Sequence, residues 1–93
     1  DLIAMSADNS AIRFWTGSTP SVNAYIDNLS NVVLGNQSAL ATNATNGFVY
    51  IRTCAGTPTG APTAFTGHVA IVYDTTNNKL YAYNGSWRSV TLT

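Results

Sequence analysis

Segments of four to six residues, rich in β-branched and aromatic side chains, recur about every ten residues, and no stretch carries a sustained helical repeat. Residues 2–5, 11–15, 22–26, 31–34, 47–52, 68–73, 79–83 and 87–92 are the candidate strands. Clusters of Gly, Asn, Asp, Ser and Thr separate them. Short strands at this spacing predict an all-β chain built from tight corners. Residues 37–42 hold a few helix formers, but that stretch is long enough only for a loop or a single turn.

The breaks carry turn chemistry. Thr16-Gly17-Ser18-Thr19-Pro20 and Asp27-Asn28-Leu29-Ser30-Asn31 each end one strand and start the next. Asp74-Thr75-Thr76-Asn77-Asn78 predicts a longer hairpin loop, because Asp and Asn side chains can bond their own backbone. Asn84-Gly85 predicts a two-residue hairpin turn with positive φ at both positions. The last quarter therefore reads as an antiparallel three-stranded meander over residues 69–73, 79–83 and 87–92.

Residues 55–67 contain three glycines, two prolines and four threonines, which predicts an extended connector. It divides the chain into a β-structured segment (1–54), the connector (55–67) and the meander (68–93). Neither flanking part holds enough apolar material to close a core alone. A short-stranded ribbon also leaves edges open to pairing with other chains. Wrapping three chains about one axis removes those edges, so a homotrimer with a shared core is expected. The subunit-core positions are Ile71, Tyr73, Leu80 and Val90.

Composition narrows the function. Only 9% of the 93 residues are charged and the formal net charge is +0, against about 25% charged in an ordinary domain. A nucleic-acid partner and a polybasic membrane-surface segment are therefore not expected. The longest apolar run, residues 48–51, falls far short of the ~20 residues of a membrane span, so no membrane insertion is expected. Thr, Asn and Ser make up a third of the chain, and an uncharged polar surface of this kind favours self-association. Cys54 is the single cysteine, which rules out an intrachain disulfide. The chain opens on Asp1 rather than Met and is expected to be part of a longer polypeptide.

Several motifs resemble phage tail-fibre and virion-fibre structural proteins. Ala11-Ile-Arg-Phe-Trp-Thr-Gly17, Tyr25-Ile-Asp27 and Asn31-Val-Val-Leu-Gly35 are similar to a fibre repeat, with Ser18 standing where that repeat has its second glycine. Residues 41–51, 56–60 and above all Val72-Tyr-Asp-Thr-Thr-Asn-Asn-Lys-Leu-Tyr-Ala-Tyr-Asn-Gly-Ser-Trp87 resemble modules near the ends of phage structural proteins. The resemblance implies an intertwined or side-by-side homotrimeric fibre segment, located in the virion and packed against other virion proteins. It also implies a contact with the host surface.

No catalytic set is expected. His68 is the only histidine, and the four carboxylates Asp1, Asp8, Asp27 and Asp74 are scattered. Asp27 and Asp74 sit at turns, as hairpin chemistry requires. One Cys, one His and no clustered acids give no metal site, and no cofactor is expected. Arg13, Arg52 and Arg88 either meet Asp27 or Asp74 or lie on the solvent face. Tyr81, Tyr83 and Trp87, with Asn84 beside them, have two readings: cross-strand packing in a trimer core, or a platform on which a host surface glycan stacks, with Asn77 and Asn78 adding amides. The alternative functions are a carbohydrate-binding β-module using this face and a capsid decoration protein.

Overall fold

A computed structural model describes residues 2–5, 11–16, 21–35 and 38–93. It is all-β, with no helix among the described residues. The strands are β1 (Leu2–Met5), β2 (Ile12–Thr16), β3 (Ser21–Ile26), β4 (Val32–Leu34), β5 (Thr53–Cys54), β6 (Ala70–Asp74), β7 (Lys79–Tyr83) and β8 (Trp87–Thr91). The chain divides into two compact units, Asp1–Val49 and Tyr50–Thr93. The corner expected at 17–20 and the carboxylates Asp1 and Asp8 lie outside the described residues.

The first unit is an antiparallel sheet in the order β1-β2-β3-β4. Its register shifts between Phe14 and Trp15, where a bulge re-aims the strand. The β3–β4 turn is built by Asp27. Its Oδ1 accepts from the Leu29 and Asn31 N–H groups, each at 2.9 Å, and its Oδ2 accepts from Asn31 Nδ2. Ser30 takes the left-handed conformation, φ 69°, that closes the loop.

The second unit is a mixed sheet in the order β5-β6-β7-β8. Its last three strands form the expected antiparallel meander, paired Tyr73↔Leu80↔Val90 and Ala70↔Tyr83↔Trp87. Two expectations need correction. Residues 47–52 form no strand; only Thr53 and Cys54 pair, and they run parallel to β6. A strand needs a ladder partner, and the free edge of β6 is met only from Arg52, whose carbonyl accepts from Tyr73 N, to Cys54. The β7–β8 turn is also not a two-residue turn: residues 84–86 form the loop, with Asn84 N donating to Ser86 O at 3.0 Å, and only Gly85, at φ 76°, is left-handed.

Residues 55–67 contain no strand beyond the end of β5, but they are more than a spacer. They run over one face of the meander. Gly56 N donates to Asp74 Oδ1 at 2.9 Å, and the Trp87 indole N–H donates to Gly60 O at 2.7 Å. Beneath them Tyr81 is 6% exposed, the one buried hydrophobic side chain of this unit.

Space around Gly85 is open, so a side chain there is opposed by backbone strain alone. Gly85→Val is expected to destabilise the protein by about 1–2 kcal/mol, the left-handed penalty for an L-residue. Gly60→Ala, also in open space and without a positive φ, should be neutral. Thermal melts check the pair; equal melting temperatures for the two variants would refute the left-handed conformation of Gly85.

Candidate functional site

Alternation gives the meander two faces of different character. One carries Tyr83 and Trp87, then Val72, Tyr81 and Ser89, then Asp74, Lys79 and Thr91. The other carries Ile71, Ala82 and Arg88, then Tyr73, Leu80 and Val90. The first is the face the connector covers.

On the covered face the aromatic residues singled out from the sequence come together. Trp87 meets Tyr83 edge-on at 5.1 Å between ring centroids and Tyr81 edge-on at 6.3 Å, the arrangement favoured by aromatic quadrupoles. The Tyr81 hydroxyl lies 3.4 Å from Thr57 Oγ1. Tyr81 therefore offers no ring face to solvent, and the Trp87 N–H is already taken by Gly60. Asn77 and Asn78 are also occupied. Asn77 Nδ2 donates to Asp74 Oδ2 at 2.8 Å, and Asn78 Oδ1 accepts from the Tyr73 hydroxyl at 3.2 Å. Asn84 is exposed at the hairpin tip.

The far end of this face is organised by Asp74, which is fully buried. Its Oδ1 accepts from Gly56 N, Thr76 N and Asn77 N at 2.9, 2.9 and 3.1 Å. Burial works against the charged carboxylate. The Asn77 amide and the three backbone N–H groups outweigh it and hold the group below the ordinary value of 3.8. Asp27 is likewise lowered, by the side chain and backbone of Asn31 first. Both carboxylates are thus satisfied by N–H groups, and Arg13, Arg52 and Arg88 lie exposed.

The opposite face holds all four expected subunit-core positions. Ile71 and Val90 keep 51% and 54% of their surface exposed, and Leu80 and Tyr73 are half-buried. A shallow hollow of about 250 Å3 is lined there by Ile71, Leu80, Ala82, Arg88 and Val90. Arg88 sits on β8, at the margin of the sheet.

Sequence reasoning missed two hollows. In the first unit, a cleft of about 560 Å3 is lined by Leu34, Leu40, Phe48 and Val49 with Asn23 and Ser38. In the second, the end of the connector and the hairpin tip enclose a smaller one, lined by Phe65, His68, Tyr83 and Asn84. Its walls are brought together by the connector's path, for which no periodicity in the sequence gives a signal. Among the described residues no three of His, Cys, Asp and Glu cluster, and no helix is long and apolar enough to cross a membrane. Cys54 is half-buried, its Sγ 3.2 Å from Gly56 O.

No family model matches the chain, no curated protein matches it in sequence and no solved structure matches it in fold.

Because both carboxylates are lowered, their stabilising contribution is complete above the ordinary value of 3.8. It is lost as pH falls through the lower folded-state values. Melting temperature should be flat from about pH 7 to 5 and drop below about pH 4. Asp74→Asn should melt lower at neutral pH and lose much of that acid dependence. An unchanged acid limb in Asp74→Asn would remove Asp74 from this role.

Proposed function

We propose that this chain is a structural segment of a phage virion, in a tail fibre, spike or head fibre, assembled as a parallel homotrimer. The uncovered apolar face of the meander carries this reading. The second unit, Tyr50–Thr93, has one buried hydrophobic side chain. A body of that length lies near the roughly 40 residues below which folding needs disulfides, metals or oligomerisation. Cys54 is the only cysteine, which leaves association as the natural source of further burial. Removing the exposed halves of Ile71 and Val90 from water is worth about 1 kcal/mol each per copy, and three copies multiply the gain.

The low charge supports the same reading. Among the residues of the open face only Arg88 is charged, and its place on the marginal strand lets the guanidinium reach water while its stem lies on apolar surface. The mechanical role is a stiff projection packed against other virion proteins. Three identical weak sites on such a stalk raise effective affinity for a host surface without new contacts. No chemistry is assigned to the chain.

Light scattering on a size-exclusion column tests the assembly. The expected mass is near three times 9.8 kDa and persists on dilution to micromolar concentration. Ile71→Asp places a carboxylate on a side chain already half exposed. It should therefore abolish the trimer, leaving a monomer or a precipitate. A folded wild-type monomer, or an intact Ile71→Asp trimer, would overturn the shared-core assembly.

A further inference from the structure

We propose that the hollow between Phe65, His68 and the β7–β8 hairpin tip binds a single uncharged pyranose ring. It rests on the virion-fibre reading for the source of that sugar, a host-surface glycan. The hollow measures about 270 Å3 and is lined by Phe65, His68, Tyr83, Asn84 and Gly85, with Pro62 at its wall. An adjoining hollow of about 370 Å3 shares Pro62, Phe65 and His68 and adds Val69. A site of this kind, mostly apolar with a few polar groups, is the usual form of a small-ligand pocket.

The chemistry of the lining selects the ligand. Phe65 is 69% exposed, so most of its ring is open to contact by a ligand. An aromatic face carries negative charge density, which suits the row of polarised C–H bonds on one side of a pyranose. Around it stand polar groups with unused hydrogen-bonding capacity. Among the described residues, neither the Tyr83 hydroxyl nor the Asn84 side-chain amide has a hydrogen-bond partner. The amide both donates and accepts, as the hydroxyl does. His68 Nδ1 lies 2.8 Å from the Thr66 carbonyl oxygen. A carbonyl can only accept, so Nδ1 donates to it and Nε2 is the ring nitrogen left for a ligand hydroxyl. The set therefore offers both donors and acceptors to vicinal hydroxyls. No Asp, Glu, Lys or Arg lines the hollow, so it holds no counter-charge for an acidic sugar.

This assignment separates the aromatic residues by role. Tyr81 and Trp87 are positioning residues: they hold the connector, which in turn sets Pro62 and Phe65 opposite the tip. Tyr83 and Asn84 face the ligand, joined by His68 and by Phe65 from the connector.

Saturation-transfer NMR on the intact protein tests the site. The probes are the methyl glycosides of glucose, galactose, mannose and N-acetylglucosamine at about 10 mM, tenfold above a millimolar Kd, with methyl glucuronoside and methyl sialoside as acidic controls. At least one neutral glycoside should bind, and Phe65→Ala and Asn84→Ala should each weaken it at least tenfold. Both residues are exposed, so the melting temperature and the light-scattering mass of the variants should match wild type. No neutral binder, binding confined to the acidic controls, or binding unchanged in both variants would overturn the site. The mass separates this failure from that of the assembly. A trimer that binds no sugar loses the site and keeps the fibre. A monomer that binds keeps the site and loses the fibre.

Discussion

The Asp74 carboxylate accepts hydrogen bonds from the Gly56, Thr76 and Asn77 N–H groups, and the arrangement of the second unit follows from the first of these. Thr76 and Asn77 are local and shape the hairpin loop. Gly56 lies 18 residues earlier and fixes where the connector begins its path across the sheet. Taking a carboxylate out of water is unfavourable unless its lone pairs are filled. Here backbone donors that would otherwise be unpaired fill them, so carboxylate and loop satisfy each other. Because the connector starts at Asp74 and is caught again by Trp87 at Gly60, Tyr81 is roofed between the two anchors.

The same chemistry serves the first unit with a shorter reach. Asp27 and Asp74 both end a strand, and both bind an Asn of the following loop through Oδ2. Asp27 spends its Oδ1 on Leu29 and Asn31, both inside the turn. It therefore defines a hairpin and nothing beyond it. Asp74 has one acceptor position turned toward a distant segment, and that single difference converts a turn device into a tertiary clasp.

This difference explains what could be read from the sequence. The β3–β4 and β6–β7 turns were legible because side chains make them: Asp27 and Asp74 each mark a corner through their own carboxylate, whereas Gly85 marks the place of the third corner but not its length. The faces of the meander were legible because alternation over residues 79–83 leaves no choice of register once both hairpins are placed. The connector's role was not legible, because it is held through the Gly56 N–H and the Gly60 carbonyl, groups every residue possesses. The strand expected over 47–52 failed for a related reason. Its β-branched and aromatic residues suit a strand, but propensity cannot supply a partner, and the edge of β6 pairs only with Thr53 and Cys54. Of the residues lining the hollow at the hairpin tip, Tyr83 and Asn84 were visible as aromatic and turn residues. Phe65 was hidden in a stretch that reads as a spacer, and His68 was visible as the only histidine but without a partner to give it a role.

A three-stranded meander has two faces to satisfy, and here they are treated by different means. One is closed from within the chain by a segment whose glycines and prolines suit close backbone approach and add little apolar surface of their own. The other keeps the row Tyr73, Leu80 and Val90, and Ile71 in the row beside it, with no covering segment of the second unit described over them. A soluble monomer would ordinarily place polar residues at those alternating positions, and this chain has many threonines, serines and asparagines elsewhere. Their exclusion from the open face, together with the placement of its single cation on the outer strand, is the pattern of a surface whose apolar character has a use. A second layer supplied by identical copies would meet it with the same side chains, and the exposed hairpin tip beside Phe65 would then be repeated once per copy around the axis.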